Sequence, residues 1–330
     1  PYQESAGVTG RQTSRQATRQ RTRKPSSQRG QVRGRLGNRN RKRNRRHGPI
    51  NALKRSWRKA NWPTRIKMVL IPTVAVVVVV ALVAGLVRFT NWRAQVRAAE
   101  AAQLELTRTY DFNPGNIISD GQFFNGSAMS QAEVQSFLDT QGGSLAAMTF
   151  DTSNESGEGL CADYTGTKGE SAAAIIDQSA RACKVSQKVL LTVMQKEQHL
   201  VTAVDPSDYQ LMAAMGLNCP DTADCDPAYA GFFRQVYGAA KRYRYYLEHE
   251  EQYGYTAHNL NYIQYHPNAA CGGAQVYIEN KATALLYIYT PYQPNIAALA
   301  AGNGTGDSCS SYGNRNFALI YTSWFGSPRS

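Results

Sequence analysis

At 330 residues the chain is long enough for two domains, or for one domain with appendages. Its net charge of +13 is strongly segregated: residues 1–67 hold 21 of the 37 Lys and Arg with one acid, Glu4, for a net of +20, while residues 68–330 hold 16 basic and 23 acidic residues, a net of −7. A single uniformly basic globule is therefore excluded.

Residues 1–49 are rich in Arg, Gln, Ser, Gly and Asn with little to bury, a composition expected to be disordered. RKRNRR at 41–46 can attract the phosphates of anionic lipid or of nucleic acid. The simpler reading makes it a topology signal without a dedicated partner. NALKRSWRKANW at 51–62 reads as a short interfacial segment, with Trp57 and Trp62 suited to the headgroup region. Next comes MVLIPTVAVVVVVALVAGLV, Met68–Val87, 20 residues without a charge. At a rise of about 1.5 Å per residue it can cross a hydrocarbon core of about 30 Å. Pro72 is expected in its first turn, where a missing N–H costs least. The excess of Lys and Arg before the span places the N-terminus in the cytoplasm and the rest of the chain outside. The expected layout is a basic cytoplasmic tail (1–67), a transmembrane helix (68–88), a helical stalk (89–110) and an extracellular domain (111–330).

All six cysteines follow the span, and an even count outside the cell points to disulfides. Cys219 and Cys225 close a small loop and form the first expected pair. Cys161–Cys183 and Cys271–Cys309 are the simplest completion, although six cysteines allow about 15 connectivities.

The stalk NWRAQVRAAEAAQLELTR (91–108) consists of good helix formers. Within 111–150, Ser130 followed by Glu133 is a capping-box pattern opening a helix. Residues 151–169 read as a loop. The segment 170–328 forms the expected core. SAAAIIDQSARAC is an amphipathic helix, KVS a turn with Ser186 as N-cap, and QKVLLTVMQKEQHL a second helix. A long helix is expected over 226–252 and another over 282–290, ended by Pro291; only AQVYIE (274–279) alternates as a strand.

The helix ending in LLTVMQKEQHL raises the question of function. At 3.6 residues per turn Leu190, Val193, Met194 and Glu197 share a narrow arc, which sets a carboxyl at the end of an apolar stripe. Desolvation raises a carboxyl pKa, and a protonated carboxyl is what glycosidic cleavage requires of its general acid. The competing reading is a solvated Glu at a helix end.

SAAAIIDQSARACKVSQKVLLTVMQKEQ (171–198) resembles the opening helices of lysozyme-like peptidoglycan hydrolases, especially lytic transglycosylases, where a Q-x-E-S pattern carries the catalytic Glu. Here Gln195-Lys196-Glu197 matches and Gln198 stands where those enzymes have Ser. LMAAMGLNC (211–219) is similar to their G-L-M-Q segment, and NLNYIQYHPN (259–268) occupies the place of their tyrosine-bearing motif. FNPGNIISD, VLLTVMQKEQHLVT, CPDTADCD, PNAACGG, YTPYQPN and GTGDSCSSYGNRNF also resemble segments of wall-associated proteins of high-GC Gram-positive bacteria that carry the labels lysozyme-like or haemagglutinin.

These resemblances imply a mainly α, lysozyme-like fold and cleavage of β-1,4 bonds in peptidoglycan, with Glu197 as acid. Gln195 is implied as a substrate contact, and Tyr262, Tyr265, Tyr287, Tyr289 and Tyr292 as a cleft wall offering flat faces to sugar rings. Each tyrosine alone has a core role as its competing reading. Tyr243, Tyr245 and Tyr246 are expected as core or snorkelling residues. A second carboxylate is offered by Asp205 or Asp208, but lytic transglycosylases manage with one acid because the substrate's own 6-hydroxyl attacks. The alternatives are a non-catalytic glycan-binding or adhesion module, and an N-acetylglucosaminidase.

Other chemistries are weaker. His266 with Cys271 gives a thiol peptidase reading, which the disulfide expectation opposes. The three Asp of DTADCD (221–226) lack EF-hand spacing, no H-E-x-x-H occurs, and GNGTG (302–306) has no following Lys. No metal and no cofactor are expected.

Overall fold

The computed structural model describes residues 48–220 and 225–330. The expectations for the tail before Gly48, RKRNRR included, and for Asp221 and Asp224 lie outside the described residues. The chain divides into two units, Pro1–Val74 and Ala75–Ser330.

In the first unit, helix α1 (Pro49–Lys59) opens with Pro at its start, where the absent N–H has no partner to lose. It stops at Ala60, and α2 (Trp62–Tyr110) begins immediately after. Asn61 caps that start, its side-chain oxygen accepting from the Thr64 N–H at 3.3 Å. Because α2 begins at Trp62, Pro72 lies inside it and not in its first turn. The Met68 carbonyl therefore lacks its ordinary partner four residues on.

α2 continues through the second unit to Tyr110, and its apolar run, which begins at Met68 in the first, has a mean hydropathy of 2.9 and is long enough to cross a membrane. The stalk expectation changes here. Val96, Ala99 and Gln103 recur on one face and are buried, so the end of the helix is part of the domain. Gln103 behaves as one more strand residue: its Nε2 donates to the Tyr277 carbonyl (3.2 Å) and its Oε1 accepts from the Tyr277 N–H (2.8 Å). A sheet edge is thereby closed.

The remainder is mainly helical. α3 (Asp120–Phe123) is capped by Ser119. α4 (Gln131–Gln141) shows the full Ser130–Glu133 capping box. The loop over 151–169 is closed by the short antiparallel pair β1 (Thr149–Phe150) and β2 (Glu170–Ser171). α5 (Ala172–Cys183) and α6 (Gln187–Gln198) are separated by Lys184 in the left-handed region, φ 54°. Ser186 stands at the N-cap of α6, but its hydroxyl makes no capping bond. α7 (Asp208–Met212) is followed by α8 (Phe232–Glu248), shorter than expected because Gly231, at φ 102°, breaks the chain direction.

The expected strand pairs with one not foreseen: β3 (Asn259–Gln264) and β4 (Gly273–Ile278) form an antiparallel hairpin. α9 (Lys281–Tyr289), α10 (Ile296–Ala300) and α11 (Gly313–Phe325) complete the chain. α6 packs against α5 and α11, and its Val189, Leu190, Leu191, Val193 and Met194 are fully buried in the core. Each such side chain contributes about 1.5–3 kcal/mol on leaving water. Three disulfides staple the periphery: Cys161–Cys183, Cys219–Cys225 and Cys271–Cys309. Cys271 thus has no free thiol, which removes the thiol peptidase reading with His266.

Candidate functional site

α6 delivers Glu197 to the end of its buried stripe. Leu190, Val193 and Met194 fix the rotation of the helix, and His199 ends it in the left-handed region at φ 51°. A carboxylate in a last turn faces the negative end of the helix dipole, an unfavourable place for an acid. Two neighbours define its surroundings. The Lys196 ammonium is in contact with Glu197 Oε1, its side chain 7% exposed against 26% for Glu197. Across from it stands Gly216, where a β-carbon would lie 3.4 Å from Glu197 Cδ and Oε2. The carboxyl is therefore paired with a cation as well as partly withdrawn from water, whereas the sequence suggested apolar surroundings alone.

Lys196 reaches further. Its ammonium donates to Thr290 Oγ1 at 3.3 Å and lies 5.5 Å from the centre of the Tyr289 ring. Thr290 belongs to the YTPYQPN segment, which Asn314 holds by donating to the carbonyls of Thr290 and Tyr292, each at 2.9 Å. Gln293 in turn ties the segment to the hairpin, its Nε2 donating to Ile263 O (2.8 Å) and Ala274 O (3.3 Å).

The loop carrying Gly216 is held from α8. Gln235 of α8 accepts from the N–H groups of Met215 (3.1 Å) and Leu217 (3.0 Å) and donates to the carbonyls of Leu217 and Tyr229, both 2.8 Å. All its hydrogen-bonding capacity is spent on main chain. Gly216, at φ 68°, is thereby anchored through the residues on either side of it. Gly216 also lines a shallow, open surface depression of about 570 Å³ with Asn218, Cys219, Pro220 and Asp226.

Behind the carboxylate stand two stacked tyrosines, Tyr243 and Tyr289, with ring centres 5.2 Å apart. Burial, and then the nearby Glu197 charge, push the Tyr243 hydroxyl well above its ordinary pKa. Burial, Tyr243 and Glu197 do the same for Tyr289. The Tyr289 hydroxyl donates to the Met215 carbonyl, while the Tyr243 hydroxyl is buried without a partner among the described residues.

The other expected site residues scatter. Tyr287 is fully buried and donates to the Pro114 carbonyl at 2.9 Å, so it has no face to offer a ligand and is a core residue. Tyr289 is a wall behind Glu197 and not an open platform. Tyr262 is 55% exposed on β3, with half-buried Tyr265 close enough for their charges to interact. Tyr292 is half-buried beside Tyr255, whose hydroxyl donates to the Pro291 carbonyl at 2.8 Å.

Gln195 points away from Glu197, as two residues on a helix require. It bonds Thr202 Oγ1 at 2.9 Å and lines a different cleft, of about 680 Å³, with His199, Arg315, Asn316 and Trp324. Asp205 and Asp208 are exposed, and Asp208 opens α7 beside its capping Ser207. Lys196, Gly216, Gln235 and Asn314 were not foreseen. A lone Gln within the apolar face of α8 was the available signal for Gln235.

A family model described as "LasA, N-terminal domain" matches residues 116–330. No curated protein and no solved structure matches the chain.

Proposed function

Because the chain belongs to the LasA N-terminal domain family, we propose that its large domain is a cell-wall hydrolase acting on peptidoglycan, and that its chemistry is glycosidic. The layout that serves this function is a basic cytoplasmic tail over 1–67, a span over 68–88 and an extracellular domain from 89 onward with a lysozyme-like arrangement. The observation that carries the glycosidic reading is the placement of Glu197: a partly buried helix-end carboxyl facing Gly216, which lines the adjoining surface depression.

In this reading Glu197 gives its proton to the leaving 4-oxygen of the glycan as positive charge builds at the anomeric carbon. The resulting carboxylate then takes the proton of the substrate's 6-hydroxyl, whose oxygen bonds to the anomeric carbon. The products are a new 4-hydroxyl end and a 1,6-anhydro sugar, so one carboxyl serves both proton transfers. Lys196 positions the carboxylate, the part that Ser plays in the Q-x-E-S enzymes and Gln198 does not take. Tyr262, Tyr265 and Tyr292 supply ring faces along the hairpin side.

The test uses the full chain in detergent, since Val96, Ala99 and Gln103 belong to the domain fold. Wild-type protein releases muropeptides from sacculi, and Glu197→Gln abolishes release while retaining sacculus binding. Mass spectrometry of the products distinguishes anhydro ends from reducing muramic or glucosamine ends. Binding without any release by the wild type leaves the non-catalytic glycan-binding module as the function.

A further inference from the structure

We propose that α1 is a lipid-binding helix lying in the plane of the anionic leaflet beside the membrane span, which rests on Met68–Val87 crossing the bilayer. At 100° per residue, Ile50, Leu53 and Trp57 fall within an arc of about 60°. Arg55, Arg58 and Lys59 occupy the opposite side, and Lys54 flanks the apolar arc. Among the described residues these three apolar side chains stay largely uncovered, Ile50 70%, Leu53 67% and Trp57 43% exposed.

The junction with the next helix is built, not slack. The Trp57 carbonyl accepts from Arg65 Nε at 3.2 Å, and the same guanidinium lies 5.8 Å from the Trp57 ring centre. This clamp fixes how α1 leaves α2, and the uncharged run begins soon after it at Met68.

Charge selects the occupant. Residues 49–67 contain no acid, and the four cations of α1 match a negatively charged surface. Near such a surface each Lys or Arg contributes about 1 kcal/mol, and the apolar face adds its own burial. An 11-residue helix would hold weakly by itself. Covalent attachment to a span makes the association intramolecular, so little intrinsic affinity is needed.

All six cysteines are in disulfides, which allows single labelled cysteines to be introduced. The full chain carrying Ile50→Cys, Asn51→Cys or Val78→Cys is nitroxide-labelled. It is then reconstituted in phosphatidylcholine vesicles with or without phosphatidylglycerol. With the anionic lipid, position 50 should be several-fold more accessible to dissolved oxygen than to an aqueous relaxation agent, and position 51 the reverse. That contrast should fall in phosphatidylcholine alone and on changing Lys54, Arg55, Arg58 and Lys59 together to Gln. Equal aqueous exposure of positions 50 and 51 in anionic vesicles, with position 78 in lipid, overturns the proposal while leaving the span intact. So does equal immersion in both lipids, or shielding of position 50 by RNA but not by phosphatidylglycerol. Aqueous exposure of position 78 instead rejects the span and the proposal together.

Discussion

The Lys196 ammonium rests on the Glu197 carboxylate and ties it to Thr290, so adjacent residues of one helix join the α6 end to the segment after α9. The pair is local in sequence, but its anchor lies 94 positions away. Lys196→Met removes the tether and leaves the carboxyl free to turn. Activity on sacculi should fall about tenfold through kcat, equivalent to about 1.4 kcal/mol of transition-state stabilisation, with KM little changed. Glu197→Gln should cost far more, about 10²-fold or greater. Equal activity of wild type and Lys196→Met would leave Lys196 a merely structural cation.

Gly216 is the second constraint on the same carboxyl. Its φ of 68° lies in the left-handed region, and an added β-carbon would stand 3.4 Å from Glu197. Gly216→Ala should therefore lower stability by about 1–2 kcal/mol through backbone strain alone. It should also depress muropeptide release beyond what that loss explains, because the strained loop then carries a methyl group in van der Waals contact with the carboxyl. Thermal denaturation and release assays on one preparation separate the two effects.

Much of this site was readable from periodicity, because α6 is buried on a stripe that its sequence spells out. The rest depended on contacts that no local pattern carries. Gln195 adjoins Glu197 in the motif yet faces another cleft, since a helix turns adjacent residues to different sides. Tyr287 and Tyr262 both fell in matching segments, but only burial separates a core tyrosine from an exposed one. α11 was missed because NFALIYTSWF is rich in β-branched and aromatic residues of low helix propensity; packing against α6 overrides that preference. The β3 strand escaped because half of NLNYIQ is polar, and its pairing with β4 is a tertiary matter.

The Cys271–Cys309 bond joins the end of the hairpin loop to the turn before α11, a separation of 38 residues. Closing a loop of that length in the unfolded chain is worth about 4 kcal/mol on the chain-entropy account. Replacing both cysteines by Ala should lower the denaturation midpoint accordingly. The hairpin should loosen with it, read as faster amide exchange across Asn259–Gln264.

Stability should fall at alkaline pH, and the buried tyrosines supply the reason. Tyr243, Tyr287 and Tyr289 are held well above the ordinary value by burial, and Tyr237 and Tyr321 are pushed up to about 12. In the unfolded chain each ionises near pH 10. Their contribution is therefore complete below about pH 10. It is lost as pH rises above that, because the unfolded state then binds fewer protons than the folded one. Denaturant midpoints measured between about pH 9 and pH 11 should decline accordingly. Tyr243→Phe is the sharpest probe, since its hydroxyl is buried with no partner among the described residues. Removing it should leave stability at neutral pH unchanged or slightly higher and make the alkaline decline shallower. A decline as steep as that of the wild type would mean that Tyr243 ionises normally and that the wall behind Glu197 is open to water.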